Sequence, residues 1–165
     1  MAQYLCNAYP QARVYVGQIP RRARMPDRFN GGEFVIRPRV FLADDHSDFL
    51  KAEIALLQPY FELVGIASDG GSLVSEVQRL KPDVVVADIT MPVMTGIEAV
   101  HELVKSGCTA KFVFLTIHSG EEFIKACLEE GARGYVVKSQ MKAHLIPAIR
   151  AVLDGLPYVP PSMPT

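Results

Sequence analysis

Three carboxylates stand where two apolar runs end. Val40-Phe41-Leu42-Ala43 is closed by Asp44-Asp45, and Val84-Val85-Val86-Ala87 is closed by Asp88. Unit charges about 4 Å apart repel by roughly 1 kcal/mol in water and by several times that at a partly buried site, so carboxylates cluster only around a cation. Ligands that are all oxygen point to Mg2+. Two other apolar runs end on side chains with chemistry of their own. Thr116 follows Lys111-Phe112-Val113-Phe114-Leu115, and Lys138 follows Tyr135-Val136-Val137. A metal cradle, a hydroxyl and an ammonium together make a site for a phosphoryl group.

Each position also has a plainer explanation. Asp44 and Asp45 could cap the helix that carries Leu50, Ile54 and Leu57, and Asp88 could be a turn residue ahead of Met91-Pro92. Thr116 could be a strand-end hydroxyl and Lys138 a solvated lysine. Five such accidents at five matching positions are a poorer account than one site.

The elements that must position these residues alternate five times between strand and helix. The strand runs are 40–43, 61–67, 83–87, 111–115 and 134–137, most of them continuously apolar, as parallel strands buried on both faces are. Thr95-Gly-Ile-Glu98 and Ser119-Gly-Glu-Glu122 are capping-box patterns, and Gly107, Gly131 and Gly155 stand where glycines end helices. Leu73, Val74, Val77 and Leu80 form one apolar stripe; Ile97, Val100, Leu103 and Val104 form a second; Leu145, Ile146, Ile149, Val152 and Leu153 form a third. Pro147 lies inside that last pattern and predicts a kink or a broken first turn, unless it falls early enough in the helix to be tolerated. The alternation implies right-handed crossovers and an α/β fold with a doubly wound parallel sheet.

With these residues in order, from about Arg39 to about Gly155, the chain resembles the receiver domain of two-component response regulators. The segment Asp88-x-x-Met91-Pro92-x-x-x-Gly96 matches that family's D-x-x-M-P-x-x-x-G loop. The resemblance implies a flavodoxin-like five-stranded sheet of order 2-1-3-4-5, which makes the ends of strands 1 and 3 neighbours at the topological switch point. It makes Asp88 the phosphoacceptor, Thr116 and Tyr135 the switch pair, and Lys138 the partner of the phosphoryl group. Asp45 and Asp88 would bind Mg2+ directly, Asp44 through water, and the Thr90 carbonyl would add an oxygen. Thr116 would turn inward toward the phosphoryl group and vacate space for Tyr135. Thr90 and Ile117 lie beside the reacting group, where side chains control the approach of water. His118, also nearby, reads as a bystander.

Partners follow from the same resemblance: a sensor histidine kinase or phosphotransfer protein as donor, and a second copy or a downstream effector on the face of strands 4 and 5 and the last helix. No DNA contact and no membrane is expected of this stretch, and a cytoplasmic location is. The protein would be a phosphoacceptor rather than an enzyme turning over an external substrate. Three other classes compete. A haloacid-dehalogenase-type phosphatase needs a second Asp two residues past the first, where this chain has Thr90; a dinucleotide enzyme needs G-x-G-x-x-G, which Asp69-Gly70-Gly71-Ser72 does not supply. A pseudo-receiver, an interaction module that never takes phosphate, usually lacks an acidic or lysine position.

Length and composition agree with one small domain: 165 residues, 49% of them apolar, with three cysteines (Cys6, Cys108, Cys127) whose spacing suits neither a metal nor a disulfide framework. Charge is lopsided. Residues 1–39 hold seven arginines against Asp27 and Glu33, a balance of +5, and the net charge of −1 leaves −6 for the remainder. Interrupted by prolines and glycines, residues 1–38 read as a basic, mostly disordered extension, with Met25 an available internal start. Residues 39–155 are the predicted domain. Residues 156–165, with four prolines, read as a linker stub of the kind that precedes a helix-turn-helix domain.

Overall fold

The computed structural model describes residues 37–160. The basic extension, apart from Arg37 and Pro38, lies outside the described residues, as do Cys6 and residues 161–165.

Among the described residues, five parallel strands form one sheet: β1 (Arg39–Ala43), β2 (Glu62–Ala67), β3 (Val84–Ala87), β4 (Lys111–Thr116) and β5 (Gly134–Val137), in the order β2-β1-β3-β4-β5. Side chains alternate across a strand, so the apolar runs fill two cores. Phe41, Val85, Phe112, Phe114 and Tyr135 face α2 (Gly70–Leu80), α3 (Gly96–Lys105) and α4 (Glu121–Glu129). Val40, Leu42, Val86, Val113, Leu115 and Val136 face α1 (Ser47–Leu57) and α5 (Met141–Leu153). β2 is an edge strand and correspondingly less buried, with Ile66 exposed.

The register sets the ends of β1 and β3 level. Ala43 pairs with Ala87. The next residue on each strand then anchors to its neighbour: Asp44 N–H donates to the Ala67 carbonyl at 3.1 Å, and Asp88 N–H to the Ala43 carbonyl at 2.8 Å. Because β1 leads to β2 on one side and β3 lies on the other, the chain opens a crevice between these ends.

Several local expectations need adjustment. Thr95 and Glu98 form the complete capping box, whereas the Ser119–Glu122 pattern does not cap. There α4 begins at Glu121 with Gly120 as the preceding residue and no side-chain cap, because the β4–α4 loop places Ser119 one position too early. Gly107, Gly131 and Gly155 do adopt the left-handed conformation that closes helices. Val104, read as part of a core stripe, is exposed on the outer side of α3. Pro147 breaks nothing: α5 runs on through it, anchored by buried Leu145, Ala148, Ile149 and Val152.

The larger correction concerns the segment after Gly155. Its described residues, 156–160, are docked against β5 through an isolated bridge rather than free of the domain. Tyr158 bridges Gly134 in parallel, accepts from Tyr135 N–H at 2.9 Å and donates to the Arg133 carbonyl at 2.8 Å. Tyr158 is buried in one core and Val159 in the other, so the segment straddles the β5 edge. Its prolines flank that position and leave the pairing amide of Tyr158 free to bond. The Tyr158 hydroxyl meets His144 Nδ1 at 2.7 Å.

Removing so large a buried side chain leaves a cavity. Tyr158→Ala should therefore cost about 3–5 kcal/mol in urea unfolding, and Tyr158→Phe only about 1 kcal/mol for the lost hydrogen bond. An alanine variant within about 0.5 kcal/mol of wild type would show that the segment is not part of the folded unit.

Candidate functional site

The site is built at the crevice between β1 and β3. Asp88 is held from every side. Its Oδ1 accepts from Ile89 N–H at 2.6 Å and from Thr90 N–H at 3.4 Å, and its Oδ2 lies 2.7 Å from Lys138 Nζ. The loop beyond folds back tightly: Gly96 N–H donates to the Ile89 carbonyl at 2.8 Å, and a Cβ at Gly96 would stand 2.0 Å from the Asp88 carbonyl oxygen. Only glycine fits there. Val93, in the same loop, has φ +70° within a three-residue turn closed by Met94 N–H to the Pro92 carbonyl at 2.8 Å. A β-branched residue rarely adopts this conformation, which is strained and characteristic of functional loops.

Lys138 comes from the opposite rim, just past β5, where a 3-10 turn (Lys138–Gln140) turns it inward. Its side chain is 3% exposed; Nζ lies 2.5 Å from Asp44 Oδ2 and 4.4 Å from the centre of the Phe49 ring. Burial opposes its charge, but the hydrogen bonds to Asp44 and Asp88 outweigh burial and hold its pKa above the ordinary lysine value. Asp44 is buried as well, and its Oδ1 accepts from His46 N–H at 2.8 Å. Asp45 is partly exposed, with Oδ1 2.8 Å from His46 Nδ1. The carboxylates do not cap α1: His46 occupies the cap position, without a side-chain cap bond.

Asp44, Asp45 and Asp88 thus converge, and each offers a ligand atom within 4.8 Å of the others and of a ring nitrogen of His46. Three carboxylates against one ammonium leave an excess of negative charge. This oxygen-rich, net-acidic cradle fits a hard divalent cation.

Thr116 and Tyr135 meet through the backbone between them. Thr116 is fully buried and its Oγ1 accepts from His118 N–H at 3.4 Å. Tyr135, already in the buried position, donates from its hydroxyl to the His118 carbonyl at 2.9 Å. Burial raises the pKa of that phenol, so it stays a donor at neutral pH. The His118 side chain makes contacts of its own. Its ring stacks on Phe123 with centroids 4.3 Å apart, and Nε2 lies 3.1 Å from Thr90 Oγ1, linking the β3 loop to the β4 loop.

Three residues escaped the sequence reading. His46 stands directly after the acidic pair. Phe49 lies in the first turn of α1, under Lys138. Glu53 falls on the inward face of α1 between Leu50 and Leu57, and that place for an acid on an apolar stripe was the available signal. Buried behind Asp44, it has its pKa pushed up to about 8, by burial first and then by the Asp44 charge and hydrogen bond.

A family model described as the response regulator receiver domain matches residues 40–150. The chain belongs to that family. As a receiver it is 33% identical over 127 residues to the transcriptional regulatory protein DegU of Brevibacillus brevis, covering 76% of this chain and 54% of that protein. It is 35% identical over 118 residues to the transcriptional regulatory protein DesR of Bacillus subtilis, covering 70% and 58%. Among solved structures, a LuxR-family two-component response regulator from an Aurantimonas species superposes with TM-score 0.72 at 34% identity, covering 76% of this chain and 91% of that one. The chain thus spans little more than half the length of these curated relatives. All the strand-end residues above fall inside the matched receiver region, whereas docked Tyr158 and Val159 lie beyond it. Response regulators are signalling proteins of two-component systems, and among the described residues of this receiver no helix is long and apolar enough to cross a membrane.

The buried Glu53 makes receiver stability pH-dependent. Its folded pKa, about 8, exceeds the ordinary 4.5. A raised carboxyl pKa contributes stability that is complete below the unfolded value and is lost as pH rises through the folded one. In chelator, wild-type stability should fall by a few kcal/mol between about pH 5 and pH 8, and Glu53→Gln should flatten that slope in thermal melts. Parallel slopes for the two proteins would mean that Glu53 holds no proton.

Proposed function

We propose that this receiver is a phosphoacceptor in a two-component phosphorelay, with Asp88 as the residue phosphorylated. The observation that carries the reading is the buried Asp44–Lys138–Asp88 arrangement, with Asp45 and the Thr90 loop beside it. An anionic nucleophile must approach an anionic phosphoryl group, so the protein's task is neutralisation and alignment. Backbone amides of Ile89 and Thr90 hold Asp88 Oδ1, and Lys138 holds Oδ2, so the carboxylate is oriented beforehand. One carboxylate oxygen attacks phosphorus, the P–N bond of a kinase phosphohistidine or the P–O bond of a small acyl phosphate breaks, and the donor leaves with the electron pair. Lys138 then pairs with a phosphoryl oxygen and Thr116 donates its hydroxyl proton to another.

Asp45 and Asp88, with Asp44 and the Thr90 carbonyl, would hold Mg2+, which supplies further charge neutralisation. A histidine kinase or phosphotransfer protein in the cytoplasm is the donor this chemistry calls for. Output would pass through Thr116, the His118 backbone and Tyr135 to the face of β4, β5 and α5, where a second copy or an effector docks. With Tyr135 already inward, the switch in this chain is an exchange of partners around His118 rather than the entry of a ring. Retention of every acidic and lysine position, all engaged, favours this over a module that never takes phosphate.

Incubation with acetyl phosphate and Mg2+ should add one phosphoryl group by intact mass, labile to hydroxylamine and absent from Asp88→Ala. The same addition persisting in that variant would reject Asp88 as acceptor. Amide exchange should change between about Leu115 and Val152 on phosphorylation, and Thr116→Ala should mute the change while leaving phosphate uptake in place. Identical exchange in the two states would reject the switch but not the phosphorylation.

A further inference from the structure

We propose that the arginine-rich stretch 13–28 docks on this chain's own receiver, across the acidic and apolar rim at the pole where the strands end, and there screens Asp88 from its donors. The inference rests on the phosphoacceptor reading only for the screening; the docking itself needs no phosphoryl group.

Charge is sorted along the strands. At the pole where they end, the first turns of α1, α3 and α4 carry Asp48, Glu98, Glu121 and Glu122, all exposed, against exposed Lys51 and Lys142. Helix N-termini favour acids, which accounts for each one singly. Asp48 meets Lys51, and Glu98 accepts from the Thr95 N–H. Glu121 and Glu122 pair with no lysine or arginine among the described residues. Apolar side chains share the rim. Val93 in the β3–α3 loop is 87% exposed, Ile117 at the end of β4 is 66% exposed, and Phe123 in the first turn of α4 is 40% exposed. The two loops are joined by the Thr90–His118 contact and by the stacking of His118 on Phe123. A rim of this kind fits a segment that offers guanidinium and apolar side chains in turn.

Residues 13–28 have that chemistry. Arg13, Arg21, Arg22, Arg24 and Arg28 stand against Asp27 alone, a balance of +4, with Val14, Tyr15, Val16, Ile19 and Met25 between them. Residues 1–39 contain no lysine, and a guanidinium, unlike an ammonium, forks onto a carboxylate with two donors and stacks on flat rings. Reach is sufficient although β1 begins at the opposite pole. Fourteen residue steps separate Arg24 from Pro38, a span of up to about 46 Å at about 3.3 Å per residue. The five residues of β1 carry the chain from one pole to the other over roughly 17 Å. Tethering makes the encounter intramolecular, at an effective concentration on the order of millimolar, which favours this occupant over a second copy or a polyanion in solution.

A nitroxide at position 23 reports where the stretch lies. The full chain would carry Ala23→Cys for the label, with Cys6→Ser and Cys108→Ser, which leaves buried Cys127 as the other thiol. At low salt the amide signals of Val93, Ile117 and Phe123 should broaden. The broadening should disappear in about 1 M NaCl, where charges are screened within about 3 Å, and in the double variant Glu121→Gln, Glu122→Gln. No broadening at the rim, or broadening indifferent to both changes, overturns the proposal. So does broadening that arises only between a nitroxide-bearing chain and a separate isotope-labelled one, since that would put the stretch on a second copy. With acetyl phosphate and Mg2+ at low salt, replacing Arg21, Arg22, Arg24 and Arg28 by Ser should speed phosphoryl uptake by about fivefold, the combined effect of several exposed ion pairs. Equal rates overturn the screening of Asp88. Uptake by neither protein instead rejects the phosphoacceptor reading, and the nitroxide result then decides the docking by itself.

Discussion

A buried ammonium held between two carboxylates organises this molecule. Lys138 Nζ touches Asp44 on β1's end and Asp88 on β3's end, having itself come from beyond β5. Withdrawing such ions from water costs several kcal/mol each, and that cost is offset only when the partners are close and the remaining lone pairs are satisfied. The surroundings meet that condition. Backbone amides of Ile89, Thr90 and His46 satisfy the carboxylates, and the Phe49 ring covers the ammonium. The triad ties together strands that are distant in sequence, so the two halves of the sheet share one electrostatic centre.

That centre requires the sheet order. Parallel strands that reverse winding direction between β1 and β3 leave a crevice at their carboxyl ends, and the level register of Ala43 and Ala87 brings Asp44 and Asp88 to the same height. The loop after Asp88 then has to turn back within a few residues. A glycine at 96 pressed against the Asp88 carbonyl and a valine at 93 in a strained turn are the local consequences. Strain there is tolerable because the packed sheet beneath over-determines the loop.

On the far side, β5 links the site to the end of the described chain. Tyr135 bonds through its side chain to the His118 carbonyl and through its backbone to Tyr158. The strand carrying Tyr135 is therefore also the strand on which Tyr158 is docked. The His118 contact and the Tyr158 contact therefore both bear on β5.

The sequence by itself determined the alternation of elements, the apolar faces of the strands and the residue types at their ends. These depend on local periodicity and on short-range signals such as Thr95–Glu98, so they were legible along the chain. Asp44, Asp45, Asp88, Thr116, Tyr135 and Lys138 could be singled out for the same reason: each ends or occupies an apolar run. What only the tertiary structure decided is who meets whom. That Glu53 stands behind Asp44 with its pKa raised, that His118 joins Thr90 to Tyr135, and that Tyr158 bridges to β5 all depend on contacts between distant segments. A proline-rich stretch reads as linker from composition, yet a single tyrosine and a single valine on opposite faces bury enough surface to dock it. Burial and pairing across the sheet set those outcomes, and neither is encoded in any local window.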